Sequence, residues 1–191
     1  RLAAVAANVE NLGAFSEYAN ANGVETGLWT QSNLTPDSNN GTPWQKLRDF
    51  QAEVETGGVA ALKTDVAWVG SGYSFGLNGT KQAYDIVTTT VSKRPNIVTL
   101  DGWAGTQRFG AIWTGDQTGG QWEYIRFHIP TYIGQSLSGN PNIGSDMDGI
   151  FGGSALISTR DYQWKTFTPL MLDMDGWGTY AKAPYTHGDP Y

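Results

Sequence analysis

Four aspartates stand where apolar segments give way to glycine-rich loops. Asp65 follows Ala61-Leu62-Lys63-Thr64, Asp116 follows Ile112-Trp113-Thr114-Gly115, and Asp146 and Asp148 lie between Gly144 and Gly149. A carboxylate near an apolar segment is costly to bury unless it is paired or functional. Two carboxylates about 5 Å apart form the nucleophile and proton donor of a retaining glycosidase. Asp65, Asp146 and Asp148 could instead ligate a divalent cation, or the aspartates could simply cap helices.

The elements that must position these carboxylates follow from the apolar pattern. Apolar residues at helical spacing predict helices over 2–20, 43–55, 81–92, 120–137 and 159–170. Short apolar runs between them predict strands over 24–31, 59–68, 96–103, 110–116 and 142–148. Pro130 should kink or split the fourth helix. The alternation of strands and helices predicts parallel β/α units.

Aromatic or acidic residues lie near the end of each predicted strand, namely Trp29, Asp65, Asp101, Asp116 and Asp146. In a (β/α)8 TIM barrel the carboxyl ends of the strands line the active-site face. Five strands cannot close such a barrel, because both edges would remain open. We therefore expect residues 1–191 to be the central portion of a (β/α)8 catalytic domain, in the α/β class.

Composition excludes several classes of protein. The chain has no cysteine, so it lacks thiol nucleophiles and cysteine-ligated metals. Twelve basic and 18 acidic residues are scattered, which argues against a nucleic-acid footprint, and no apolar run approaches the roughly 20 residues of a membrane span. Eight tryptophans and nine tyrosines offer faces that stack on sugars. We expect His128 to pack in a helix, and neither it nor His187 to bind a metal.

Three segments follow one another in the order of the motifs of glycoside hydrolase family 31: Lys63-Thr64-Asp65, Trp113-Thr114-Gly115-Asp116 and Asp146-Met147-Asp148-Gly149-Ile150. The sequence resembles the catalytic barrel of this family, which contains α-glucosidases and α-xylosidases, between residues 24 and 170. The resemblance implies a TIM barrel of which this chain holds about strands three to seven. It also implies that Asp65 is the nucleophile, Asp116 the acid/base and Asp146 a ligand of sugar hydroxyls.

Longer loop segments resemble one branch of the family, the cycloalternan-forming 3-α-isomaltosyltransferases and their 6-α-glucosyltransferase relatives. These segments cover 27–32, 63–70, 73–79, 101–108, 115–120 and 145–153. Typical family hydrolases carry a sugar-binding arginine sixteen residues before the acid/base, where this chain has Leu100. Their Arg-x-His segment is also replaced, after Phe167-Thr168-Pro169. We expect the neighbouring Asp101 to supply a substitute polar contact.

The predicted function is retaining α-glycosyl transfer on α-glucan oligosaccharides, through a covalent glycosyl-enzyme. The resemblance implies isomaltosyl transfer that forms α-1,3 links and cycloalternan. The alternatives are a hydrolytic α-glucosidase, a 6-α-glucosyltransferase and a non-catalytic carbohydrate-binding protein. Beside the catalytic Asp65 and Asp116, the predicted substrate-binding residues are Trp29, Lys63, Trp68, Asp101, Trp103, Arg108, Trp113, Asp146 and Asp148. No cofactor is expected; the expected partners are the oligosaccharide and the remainder of the catalytic domain, and the expected location is outside a bacterial cell.

Overall fold

The computed structural model of the chain describes residues 2–30, 49–64, 73–174, 181–186 and 188. The chain divides into two compact units, Arg1–Gly110 and Ala111–Tyr191. Each unit contains parallel strands that alternate with helices. Within the described residues, no helix has the length and apolar character needed to cross a membrane.

The first unit holds three strands in a parallel arrangement. The strands are β1 (Gly27–Thr30), β2 (Ala61–Thr64) and β3 (Asn96–Thr99), and the helices are α1 (Leu2–Ala21), α2 (Phe50–Glu55) and α3 (Tyr73–Thr90). A short 3-10 turn at Thr106–Arg108 follows β3. Because β2 pairs in parallel with both neighbours, all three strands end at the same edge.

The core of the first unit joins its helices to its strands. It consists of the buried side chains of Phe50, Val54, Val59, Leu62, Ala83, Val87 and Ile97. Removing a large apolar side chain from water contributes about 1.5–3 kcal/mol. This cluster therefore holds α2 and α3 against the strands β2 and β3, and so sets where those strands end.

The second unit has a shorter pair of strands between longer helices. It contains β4 (Ala111–Trp113), α4 (Trp122–Leu137), β5 (Ile143–Gly144), α5 (Ala155–Lys165) and a 3-10 turn at Pro184–Thr186. The parallel pairing sets Ile112 opposite Ile143 and Trp113 opposite Gly144. Two small buried clusters in this unit, one of Ile112, Tyr132 and Ile143 and one of Tyr124, Ile125 and Ile157, both pack against Trp164.

The predicted alternation of strands and helices is confirmed, but several bounds are wrong. The second described helix begins at Phe50, because the backbone of Asp49 is extended and its side chain accepts a hydrogen bond from the backbone N–H of Ala52. The predicted helical residues 43–48 lie outside the described part. The third helix begins at Tyr73 rather than residue 81. β3, β4 and β5 are shorter than predicted and β1 and β2 begin later than predicted, while the predicted strand residues 31 and 65–68 lie outside the described part.

Two further differences concern the helices of the second unit. Pro130 does not split α4, which runs unbroken from Trp122 to Leu137; the proline removes a single backbone donor from a helix held by its buried face. The last helix begins at Ala155, ahead of the predicted residue 159, because the side chain of Ser154 caps it by accepting from the backbone N–H of Ile157.

Candidate active site

In the first unit, β1 and β2 bring two predicted sugar-binding residues side by side. Trp29 lies directly opposite Lys63 in the strand register. The indole of Trp29 is 43% exposed and Lys63 is half-buried, while Thr64, the last residue of β2, is buried. Asp65 and Trp68 lie outside the described residues, so their predicted roles stay predictions.

Asp101 sits just beyond the end of β3 in a small network of hydroxyl groups. Its Oδ2 lies 3.4 Å from Oγ1 of Thr99, which also accepts a hydrogen bond from the backbone N–H of Asp101 at 3.2 Å. Thr80 on α3 reaches the same Thr99 hydroxyl at 3.3 Å. Partial burial raises the pKa of Asp101 above its ordinary value, although hydrogen bonds from Thr99 and Trp103 oppose this shift.

The carboxyl group of Asp101 lies against the backbone of Gly76 on α3. A Cβ atom at Gly76 would stand 2.5 Å from Oδ1 of Asp101. The glycine therefore leaves the space that the carboxyl group occupies.

Trp103 and Arg108 complete the predicted residues of this unit. Trp103 is 39% exposed, which leaves part of its ring open to solvent. The Arg108 side chain donates from Nε to the carbonyl of Gly105 at 3.3 Å, and its guanidinium lies 4.9 Å from the ring centre of Phe109. These contacts are local, and they orient Arg108 along its own turn.

In the second unit, Trp113 connects the ends of the two strands. Trp113 is buried at the end of β4, and its Nε1–H donates to Oδ2 of Asp146 at 2.8 Å, just beyond the end of β5. Asp116 is exposed on the loop after β4, where Gly115 adopts the left-handed backbone conformation with φ 90°. The loop therefore presents one carboxylate to solvent while the neighbouring strand end holds another in the interior.

Asp146 is held through its main chain as well as its side chain. Its carbonyl oxygen accepts hydrogen bonds from the Tyr124 hydroxyl and from Nζ of Lys165, the latter at 2.8 Å. Lys165 is fully buried and forms an ion pair with Asp161 at 2.6 Å. Burial lowers the pKa of Lys165, and the nearby carboxylates of Asp161, Asp146 and Asp148 oppose that shift.

Asp148 ties its own loop together. Its Oδ1 accepts from the backbone N–H of Gly120 at 2.6 Å, and its Oδ2 accepts from that of Ser154 at 2.7 Å. The residue is buried and has a backbone φ of 52°, which is rare for residues other than glycine. Burial raises the pKa of Asp148. These contacts indicate a loop anchor; the predicted contact with sugar stays a prediction.

His128 is buried on α4, as the helical pattern predicted. Its Nδ1 lies 2.7 Å from the carbonyl of Tyr124, and its Nε2 lies 3.0 Å from the hydroxyl of Thr114. A carbonyl oxygen only accepts, so Nδ1 carries the hydrogen and Nε2 accepts from Thr114. Burial lowers the pKa of His128 to about 4, so the ring is neutral at pH 7.

The sequence did not identify the buried charges that support these loops. Asp161 and Lys165 lie within a predicted helix, and Lys182 donates to the carbonyl of Gly149. The spacing of Asp161 and Lys165 was a usable signal, because residues four apart meet on one helix face. In the described part of the chain, no group of three or more histidine, aspartate or glutamate side chains is arranged to hold a metal ion.

Parallel βα units with carboxylates just past the strand ends are the arrangement of a TIM-barrel enzyme. The family model described as the TIM-barrel domain of glycosyl hydrolases family 31 matches residues 15–191. The chain therefore belongs to glycosyl hydrolase family 31, and the predicted family and fold are confirmed.

Curated relatives match about half of the chain. It is 31% identical over 100 residues to mouse neutral alpha-glucosidase C, covering 52% of this chain and 11% of that protein. It is 36% identical over 114 residues to the alpha-xylosidase of Saccharolobus solfataricus, covering 54% of this chain and 16% of that protein. The chain thus spans a small part of the length of these two relatives.

Solved structures match more of the chain. The cycloalternan-degrading enzyme from Trueperella pyogenes superposes with a TM-score of 0.74 at 18% identity, covering 92% of this chain and 34% of that one. The likeness is one of fold. It agrees with a chain that forms part of a barrel.

Proposed function

We propose that this chain carries the catalytic carboxylates of a retaining α-glycosidase or transglycosylase that acts on α-glucan oligosaccharides. The observation that supports this most is the pair of strand ends in the second unit. There the family motif exposes Asp116 after β4, and Trp113 holds Asp146 after β5. The names of the curated relatives, α-glucosidases and an α-xylosidase, agree with such a substrate class.

The proposed reaction proceeds in two steps with retention. Asp65 attacks the anomeric carbon while Asp116 gives its proton to the leaving oxygen, and a covalent glycosyl-enzyme forms. Asp116 then removes a proton from the incoming acceptor, whose oxygen attacks the anomeric carbon and releases Asp65. In this scheme Asp146 accepts hydrogen bonds from hydroxyl groups of the bound sugar.

We propose transfer to a sugar, in the form of isomaltosyl transfer that builds cycloalternan, as the finer activity. Partly exposed Trp29 and Trp103 offer faces on which an acceptor sugar can stack. The loop resemblance to 3-α-isomaltosyltransferases supports this choice. Hydrolysis is the second candidate, favoured by the name of the cycloalternan-degrading enzyme that shares the fold.

The test of the catalytic roles uses the complete protein that carries these residues. Asp65→Asn should abolish turnover of panose and keep sugar binding, because the amide retains the shape and loses the nucleophile. Asp116→Ala should slow natural substrates far more than activated aryl glycosides, which need little protonation. Added azide should partly restore its turnover and give a β-glycosyl azide.

The matched control is Asp85→Asn, which removes an exposed carboxylate on α3 and should leave turnover unchanged. Near-normal turnover in Asp65→Asn would overturn the proposed mechanism, as would an equal slowing of all substrates by Asp116→Ala without azide rescue. Products larger than panose, or cyclic ones, support transfer; glucose alone supports hydrolysis. Sugar binding without any turnover by the parent protein supports the carbohydrate-binding alternative.

A further inference from the structure

The second unit buries an ion pair that the proposed reaction does not use. Asp161 and Lys165 lie four residues apart on α5, and neither side chain is exposed to solvent. Taking two charges out of water costs several kcal/mol for each ion, and replacing such a pair by apolar residues is often neutral or stabilising. A contribution to overall stability is therefore a weak explanation for the presence of this ion pair. Its contacts with other groups indicate what else it does.

Those contacts converge on the segment that carries Asp146. Nζ of Lys165 donates to the carbonyl of Asp146 at 2.8 Å and lies 3.4 Å from that of Ser145. Oδ2 of Asp161 accepts from the backbone N–H of Asp148 at 2.8 Å, and its Oδ1 accepts from the indole of Trp164 at 2.6 Å. The pair thus bonds to backbone groups on both sides of the Asp146 side chain.

The backbone of this segment needs such support. The regular pairing of β5 covers only Ile143 and Gly144, and beyond it Asp146 forms an isolated parallel bridge with Leu172, through a 2.7 Å hydrogen bond from the backbone N–H of Met147 to the Leu172 carbonyl. Further along, Asp148 adopts a left-handed backbone conformation, which aspartate tolerates better than most residues but less readily than glycine. The ammonium group and the carboxylate of α5 add strong, charge-assisted hydrogen bonds to a segment that has one isolated bridge in place of continuous strand pairing.

We propose that Lys165 and Asp161 are positioning residues that hold Asp146 in place for the hydroxyl groups of the bound sugar. This inference rests on the proposed function, because it takes Asp146 as a sugar ligand. Lys165 fixes the main chain of Asp146, and Trp113 fixes its carboxylate, so the side chain is held from two directions. Loss of the ion pair should displace the carboxylate of Asp146, the proposed sugar ligand, without removing it.

The experiment measures panose binding by titration calorimetry in the complete protein carrying Asp65→Asn, which prevents turnover. Lys165→Met should raise the Kd of panose about tenfold, the size expected for a misplaced charge-assisted hydrogen bond. Since this variant leaves Asp161 buried without its cation, the Asp161→Asn/Lys165→Met double variant is measured as well and should show a similar rise. The stoichiometry reports the folded fraction, so misfolding is separated from weaker binding.

The matched control is the Asp85→Asn/Lys81→Met double variant, which removes an exposed ion pair of the same spacing on α3. It should leave the Kd unchanged. Asp146→Asn should weaken panose binding, and adding Lys165→Met to it should weaken binding no further, because both changes act through one carboxylate.

The outcomes separate the two proposals. If Asp146→Asn weakens binding while both Lys165 variants bind panose like the parent, the positioning role is wrong and the proposed function stands. Additive losses in the combined variant would also overturn it, because Lys165 would then act independently of Asp146. If Asp146→Asn leaves binding unchanged, Asp146 is not a sugar ligand, and both this role and the inference fail.

Discussion

The indole N–H of Trp113 donates a 2.8 Å hydrogen bond to Oδ2 of Asp146, and so joins the carboxyl ends of β4 and β5. The sequence predicts that both residues bind sugar, and the hydrogen bond makes the position of one depend on the other. Trp113, three residues before the proposed acid/base Asp116, thereby orients the carboxylate that follows the next strand.

Replacement of Trp113 tests this contact. Trp113→Phe keeps an aromatic ring and removes the only donor of the side chain, so Asp146 loses one hydrogen bond. Hydrogen bonds to charged groups contribute about 1.5–3 kcal/mol, and we expect kcat/KM for panose to fall about tenfold or more. Trp122→Phe, at a position 53% exposed on α4, is the control and should have little effect. Equal kinetics in the two variants would contradict the role of Trp113.

The loop anchor Asp148 is tested by a change that preserves its shape. Asn tolerates the left-handed backbone as Asp does, so Asp148→Asn does not strain the main chain. The amide N–H₂ cannot accept a hydrogen bond, so the backbone N–H of either Gly120 or Ser154 loses its acceptor. We expect the free energy of unfolding to fall by about 2–3 kcal/mol. Chemical unfolding measures it, with the exposed Asp116→Asn as control. A loss no larger than that of the control would show that the anchor is unimportant for stability.

Gly76 and Gly79 on α3 provide a matched pair of substitutions. Gly76→Ala would place a Cβ 2.5 Å from Oδ1 of Asp101, whereas Gly79→Ala meets nothing within 4 Å. Because the end of a side chain can move, we expect Gly76→Ala to displace the Asp101 carboxyl group, and we expect both Gly76→Ala and Asp101→Ala to raise KM for panose. Gly79→Ala should leave KM unchanged and stabilise the helix by about 1 kcal/mol. A normal KM in Gly76→Ala and in Asp101→Ala would argue against a sugar contact by Asp101.

The lowered pKa of His128 predicts that the folded protein loses stability in acid. Burial lowers its pKa to about 4 from the ordinary 6.5, the positive charge of Lys165 lowers it further, and the carboxylate of Asp161 opposes both. The folded protein therefore binds fewer protons than the unfolded chain in this range. The stabilisation is fully present above pH 6.5 and is lost as the pH falls through 4.

The measurement compares the unfolding free energies of the parent and of His128→Gln from pH 7 to pH 4. Gln keeps an acceptor for the hydroxyl of Thr114 but does not titrate. The stability advantage of the parent should shrink steadily as the pH falls. A constant difference in unfolding free energy across this range would show that His128 has the same pKa in the folded and unfolded states.

Much of the organisation of the chain was readable from local pattern. The alternation of strands and helices follows from apolar spacing, which depends on residues close in sequence. The motif order placed Asp116 and Asp146 after neighbouring strands, as the structure has them. The bounds were less predictable. Where a strand ends depends on ladder partners, and where α2 and α5 begin depends on the caps at Asp49 and Ser154.

The sequence by itself determined the family, the β/α alternation and the loops on which the candidate carboxylates lie, because these depend on residue types and their order. Only the tertiary structure decided which polar groups meet in the interior. It enclosed Lys165 and Asp161 against the backbone of Asp146, and it turned both oxygens of Asp148 toward the backbone N–H groups of Gly120 and Ser154. Buried polar groups must find partners wherever packing brings them together, and those partners come from segments far apart in the chain.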